Sequence, residues 1–339
     1  MSPTRIVLAG GTGLLGGLLS RALVARGHDV VVLTRSGAPA TPGETPVTGR
    51  ADVPSGGSED LSLPRAVEVR DASGAGAGAR LTRWTPDGTV GAWAQEVDGA
   101  AAVVNLAGES LAARRWTPAQ KSRLRDSRLD ATRSLVAALT GATRPPGVFL
   151  SASAVGYYGD RNDEVLTEES ASGNDFLAEL CAEWERVALQ AAGATRVILT
   201  RTGLVLDAHG GALPRMLTPF RLFAGGPLGS GRQYMSWIHR DDWAALVLWA
   251  IDTADVAGPV NATSPSPVTN AEFARTIGAA LGRPSLLPAP AFALRLALGE
   301  MGDALVLSGQ RVVPARALSL GFRFKFEKLA DALKDVLQA

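Results

Sequence analysis

Short apolar runs alternate with stretches of helical periodicity from the start of the chain to residue 202. Ile6-Val-Leu8 is a compact apolar run of the kind a buried parallel strand shows. Leu14, Leu15, Leu18, Leu19, Ala22 and Leu23 follow at helical spacing, and Gly27 is placed to cap that helix. Val30–Arg35 predicts the second strand. Residues 37–79 are rich in Gly, Pro, Ala and Ser with little periodicity, which predicts a long loop or insertion. The third strand is expected at Val67–Asp71 or at Arg80–Trp84, and the second is favoured. A short helix around Ala94–Val97 precedes a fourth strand, which leaves through Asn105-Leu-Ala-Gly108. Thr117-Pro-Ala-Gln120 reads as a capping box opening a helix that runs to about Leu139. Val148–Ser153 is the fifth strand. Phe176, Leu177, Leu180, Trp184, Val187 and Ala191 form the stripe of a helix that starts at Gly173-Asn-Asp and ends at Gly193. Arg196–Arg201 is the sixth strand. This alternation, without hairpin signals, predicts an α/β fold with a doubly wound parallel sheet.

After Gly203 the pattern loosens. Gly210-Gly-Ala-Leu-Pro and Gly225–Gly231 are loop sequences, and Met235–His239 reads as a short strand. Asp241-Asp242 starts a helix over Trp243–Ile251, and Val260-Asn261 reads as a last sheet strand. Thr269-Asn-Ala-Glu272 caps another helix, and residues 283–339 hold Pro-rich turns with two or three more. The expected division is a sheet domain over 1–205, its sheet completed by a segment returning near 236–262. A smaller, mostly helical substrate or lid region covers 206–339. No internal repeat is visible.

Composition narrows the classes. The chain has 339 residues, a net charge of +1 and 46% hydrophobic residues, so it can bury a substantial core. A near-neutral charge without a basic aromatic patch speaks against nucleic-acid or membrane partners and leaves a small molecule as the expected one. Cys181 is the single cysteine, which excludes an internal disulfide and suits a small core residue. His28, His209 and His239 lie far apart, with no metal-site spacing. No apolar run reaches the length of a membrane span, and the N-terminus enters a strand directly, so a cytoplasmic protein is expected.

The chemistry starts at Gly10-Gly-Thr-Gly-Leu-Leu-Gly16. Gly10, Gly11, Gly13 and Gly16 satisfy both G-x-x-G-x-x-G and G-x-G-x-x-G, between a strand and an amphipathic helix. Glycines let a pyrophosphate approach, and the helix N-terminus offers it free N–H donors and partial positive charge. A dinucleotide is the ligand this context predicts. At the end of the second strand, where an acid would take the ribose hydroxyl of NAD, the chain has Arg35 followed by Ser36. A guanidinium there pairs with a 2′-phosphate, which favours NADP(H) over NAD. Trp84 is expected near the cofactor. The small residues leaving the fourth strand would let its nicotinamide side lie close.

Several motifs together resemble the extended short-chain dehydrogenase/reductases, in their epimerase/dehydratase branch. The likeness is strongest to an atypical epimerase-like subfamily sometimes labelled cell-division inhibitors. The motifs are Gly10–Gly16, Asn105–Ser110, Ser151–Gly159, Asp175–Glu185, Gly225–Gln233, Ser236–His239 and Gly321-Phe322. The 37–79 insertion is longer than this subfamily leads one to expect. The resemblance implies that residues 1–205 form a Rossmann-like domain with NADP(H) bound across the strand ends, under a small C-terminal domain over the substrate cleft. It implies that Gly10, Thr12, Gly13, Leu15 and Gly16 hold the pyrophosphate, and Arg35 and Ser36 the 2′-phosphate. Ala107 and Gly108 would line the path to the nicotinamide, and Ser153 would polarise a substrate oxygen. Proteins of this kind often pair as homodimers through a four-helix bundle.

The superfamily's Tyr-x-x-x-Lys pair is absent. Tyr157, Tyr158 and Tyr234 are followed four residues on by Arg161, Asn162 and Ile238, and Phe176 by Leu180. Two readings follow. One is an oxidoreductase or epimerase with a rearranged site, in which Ser153 orients the substrate oxygen. Tyr157 or Tyr158 would then donate a proton, tuned by Lys121, Arg201 or Glu109. The other is an NADP(H)-binding redox sensor or regulator without turnover. Packing around a glycine turn would equally explain both tyrosines. His239 is better explained as a structural histidine near a helix start; Arg232 and Gln233 fit a substrate contact and a surface loop equally, and Arg311 could meet the cleft from the small domain.

Overall fold

Seven parallel strands make the central sheet of the chain, whose computed structural model describes residues 4–35 and 78–338. They are β1 Arg5–Ala9, β2 Asp29–Thr34, β3 Arg80–Arg83, β4 Ala102–Asn105, β5 Val148–Ala154, β6 Arg196–Thr202 and β7 Gly258–Ala262. Their order is β3-β2-β1-β4-β5-β6-β7, and every neighbouring pair is parallel. Ile6 lies opposite Val30 on one side and Ala102 on the other. The apolar run of β1 is at most 2% exposed because helices cover both sheet faces. Val67–Asp71, the other candidate for the third strand, lies outside the described residues.

The winding reverses between β1 and β4, which opens a crevice at their carboxyl ends. Helices α1 (Leu14–Ala25), α2 (Pro118–Gly141) and α3 (Phe176–Ala188) follow β1, β4 and β5. Leu19 and Leu23 of α1 bury against Leu8 and Val32 on one face, together with Trp243 and Val247. Leu135 and Leu139 of α2 bury against Val7, Val103 and Phe149 on the other. Thr117 caps α2 by accepting from Gln120 N at 3.2 Å. The expected capping box is not completed, because Gln120 is fully buried. Its amide serves Glu109 and Arg123 instead.

Beyond β6 the chain builds α4 (Leu213–Arg221), α5 (Arg240–Asp252), α6 (Asn270–Leu281), α7 (Ala291–Leu298) and a terminal helix, Leu329–Gln338. Leu217, Phe220, Trp237, Phe273, Leu333 and Val336 share a core there. The stretch Met235–His239 is not one strand. Tyr234–Met235 pairs antiparallel with Val268–Thr269, and Trp237–His239 pairs parallel with Leu204–Leu206. Ser236 is the break, its hydroxyl held by Gln310 O and Val312 N. No helix among the described residues is long and apolar enough to cross a membrane.

Candidate functional site

The glycine turn between β1 and α1 sits at the mouth of the crevice. Gly10 has φ +79°, and a Cβ there would stand 2.7 Å from the Leu106 carbonyl carbon at the exit of β4. At Gly16 a Cβ would come within 2.2 Å of Gly10 O. These two glycines fold the turn onto itself and onto β4. Gly13 differs: a Cβ there would meet nothing nearer than 3.4 Å. It caps α1 without any side-chain hydrogen bond, and the first turn carries no acid. The helix therefore presents its N-terminal donors, with Thr12 and Gly13 exposed and Leu15 half-buried. Arg35 is exposed just past β2, whereas Ser36 lies outside the described residues.

Asn105 shapes the next edge. Fully buried, it donates to Thr132 Oγ1 at 2.8 Å and accepts from Ala107 N at 3.2 Å. Ala107 and Gly108 are thereby turned toward the crevice mouth, Gly108 exposed. Trp84 is 4% exposed and packs edge-on against Trp93, with ring centroids 5.4 Å apart. The indole belongs to the core on the α2 side of the sheet, at the end of β3.

At the end of β5, Ser153 is buried and its hydroxyl donates to Glu185 Oε1 at 2.6 Å. Glu185 reaches it from α3 and holds both arms of Arg201 from β6, Nε and Nη2 each at 2.8 Å. Burial works against the Arg201 charge, but the bonds and charge of Glu185 outweigh it and raise the guanidinium's pKa. The guanidinium lies under the Tyr157 ring, 3.5 Å from its centroid. Its Nη1 donates to the Tyr158 hydroxyl at 3.0 Å.

The two tyrosines part company here. Tyr158 is fully buried and donates to Asn261 Oδ1 at 2.7 Å. Burial pushes its phenol up to about 12 against the pull of Arg201. The Tyr158 hydroxyl thus donates one hydrogen bond and accepts another inside the core, whereas Tyr157 is half-buried.

The other suggested tuning groups sit elsewhere. Lys121 pairs with Glu300 and lies over Phe176. Glu109 accepts from Gln120 at 2.8 Å. His239 is fully buried, caps α5 and meets Asp335 at 3.2 Å. Arg232 is exposed, Gln233 donates to Leu228 O and Val306 O, and Arg311 lies over the Tyr234 ring. Glu185 is the residue sequence reasoning missed. Its signal was an acid on the apolar side of an amphipathic helix, next to Trp184.

The sequence profile of the NAD dependent epimerase/dehydratase family matches residues 6–262, and that of a domain of unknown function matches 289–336. The chain is similar to an epimerase family protein of Mycobacterium tuberculosis, MT2273, at 39% identity over 338 residues, 98% of this chain and 97% of the relative. It is similar to epimerase family protein SDR39U1 of Bos taurus at 36% identity over 337 residues, 98% of this chain and 99% of the relative. Among solved structures, human epimerase family protein SDR39U1 (isoform 2), determined with NADPH, matches with a TM-score of 0.81 and 33% identity. That match covers 98% of this chain and 99% of the human one.

Proposed function

The chain belongs to the NAD dependent epimerase/dehydratase family, and from that premise we propose that it binds NADP(H) and works as an oxidoreductase or epimerase on a small molecule. The observation that carries this reading is the uncapped N-terminus of α1, set over a glycine turn too tight for any other residue at Gly10 or Gly16. Those groups suit a pyrophosphate, and Arg35 suits a 2′-phosphate. The NADPH bound to human SDR39U1 supports the same choice. When bound, the nicotinamide supplies or accepts a hydride.

The chain's own residues would handle the oxygen and its proton. The Ser153 proton is engaged by Glu185, so the serine offers lone pairs and holds a substrate hydroxyl as acceptor. Tyr157, its ring anchored on Arg201, is the phenol placed to exchange a proton. A second reading, NADP(H) binding without turnover, draws on α3. Its buried i, i+4 pairs are Leu177/Cys181, Leu180/Trp184, Cys181/Glu185 and Trp184/Ala188, none of which sets a cation beside a phenol.

Titration with NADPH and NADH tests the binding. NADPH is expected to bind at least tenfold more tightly, with Arg35→Ala removing most of that preference; equal affinities in the wild type would refute the Arg35 argument. A screen of carbonyl and sugar-nucleotide compounds for NADPH oxidation then separates the two readings. For any compound turned over, Ser153→Ala and Tyr157→Phe should each lower kcat at least tenfold. Unchanged rates would remove both residues from the mechanism.

A further inference from the structure

Arg128, in the middle of α2, is a cation whose contacts contain no anion. Its Nη1 donates to Leu124 O at 2.9 Å and its Nη2 to Glu109 O at 3.0 Å, both backbone carbonyls. No carboxylate among the described residues forms an ion pair with it. The nearby carboxylate of Glu109 is turned to Gln120. Trp184 covers the guanidinium, with its ring centroid 5.5 Å from Cζ. Gly108 closes another side: a Cβ there would stand 3.1 Å from Arg128 Cγ and 3.2 Å from Cζ.

Arg128 is half-buried, so its guanidinium is partly withdrawn from water yet still reachable, and charges so placed are normally paired or bound to a ligand. Desolvation accordingly lowers the Arg128 pKa, and the neighbouring Cys181 and Glu109 offset this only in part. The two carbonyl bonds take two of the five guanidinium N–H groups, and the remaining donors have no acid to meet. The place is as informative as the charge. Gly108 is the exposed end of the β4 exit turn, and Cys181 belongs to the α3 surface that also carries Glu185 and its Ser153 bond. Arg128 therefore brings positive charge from α2 to the gap between β4 and α3. The cofactor's own phosphates have their donors at Gly13 and Arg35.

We propose that Arg128 forms an oxyanion subsite beside Gly108, which binds a carboxylate or phosphate group of the substrate. The substrate is then an anion, held by a planar guanidinium fork near the expected nicotinamide position. This placement of the subsite rests on the dinucleotide reading of the glycine turn, whereas the anion binding itself does not.

The test is calorimetric titration of the full chain, with and without NADPH, using malonate and inorganic phosphate as separate probes. Wild type should bind one equivalent of one or both, and the tighter probe identifies the anionic group. Arg128→Met should weaken that binding at least tenfold, Arg128→Lys should fall between, and NADPH affinity should stay within twofold for both. Quenching of tryptophan fluorescence by the anion should vanish in Trp184→Phe, which locates the ligand. Wild-type protein that binds neither probe overturns the proposal. So does undiminished binding in both arginine variants, or a tenfold loss of NADPH affinity in the well-folded Arg128→Lys protein, which would assign the guanidinium to the cofactor. If NADPH fails to bind while malonate or phosphate still depends on Arg128, the dinucleotide reading falls and the subsite stands.

Discussion

Glu185 takes the Ser153 proton at 2.6 Å and both arms of Arg201 at 2.8 Å, and all three side chains are buried. Removing one member of such an ion pair leaves the other charged and without a partner, at a cost of about 3–5 kcal/mol. Arg201→Met should therefore lower the urea midpoint strongly. Glu185→Gln combined with Arg201→Met should recover much of the loss, and additive effects in the double variant would show that the two residues are not coupled. Cys181, beside them, has its thiol pushed up to about 12 by burial. Because the thiolate is the nucleophile, native protein at pH 8 should resist iodoacetamide and unfolded protein should be fully alkylated, as read by mass spectrometry. The sequence could single out Ser153 and Tyr157 as candidates because they stand at or just past the end of an apolar run, a local feature. It could not separate Tyr157 from Tyr158. That distinction depends on Asn261, 103 residues away, and on Arg201, 43 residues away. Trp84 illustrates another limit: it packs edge-on against Trp93, nine residues on, in the core on the α2 side of the sheet, a contact that strand and helix periodicity does not reveal.

At the scale of elements, helix starts were legible wherever the cap is a usual residue. Thr117, Asp175 and Thr269 each accept from the N–H three residues on, at 3.2, 2.9 and 3.3 Å. The start of α5 was legible to within a residue at Asp241-Asp242, but its cap was not, because it is the ring of His239, whose Nδ1 accepts from Asp241 N at 3.1 Å. That acceptor role places the ring proton on Nε2, toward Asp335 of the terminal helix. Asp241 and Asp242 on α5 and Asp335 all favour the charged ring, yet burial outweighs them and lowers its pKa. The sign follows directly. As pH falls below about 6.5 the unfolded chain takes up this proton before the folded one, so stability declines from there toward the folded pKa. Melting temperature should thus fall between pH 7 and pH 5. His239→Asn, which can still cap, should flatten that slope. An unchanged slope would mean that other groups set it.

Across the whole molecule, the region after residue 205 is tied to the sheet by buried polar bonds as well as by shared apolar surface. Glu168 accepts from Asn261 N in β7 at 2.9 Å and from Arg316 N at 3.2 Å. Within that region, the Asp242 carboxylate of α5, a helix that packs on the sheet through Trp243 and Val247, accepts from Lys325 N at 2.8 Å and Phe326 N at 2.9 Å. Phe322 and Phe324 bury in the same cluster as Ile6 and Leu8 of β1. An apolar residue finds substitutes when a lid moves, but a carboxylate that satisfies two backbone donors leaves them bare if it departs. The two regions should therefore unfold together. In urea, tryptophan fluorescence and far-UV circular dichroism should give coincident transitions. Asp242→Ala should shift both curves to lower urea by the same amount, a loss of about 1–3 kcal/mol for each donor left unsatisfied. Transitions that separate, or a variant that moves only one of them, would mean that the C-terminal region folds and fails on its own. The small residues and caps that define the glycine turn would then sit on a sheet that stands without its cover.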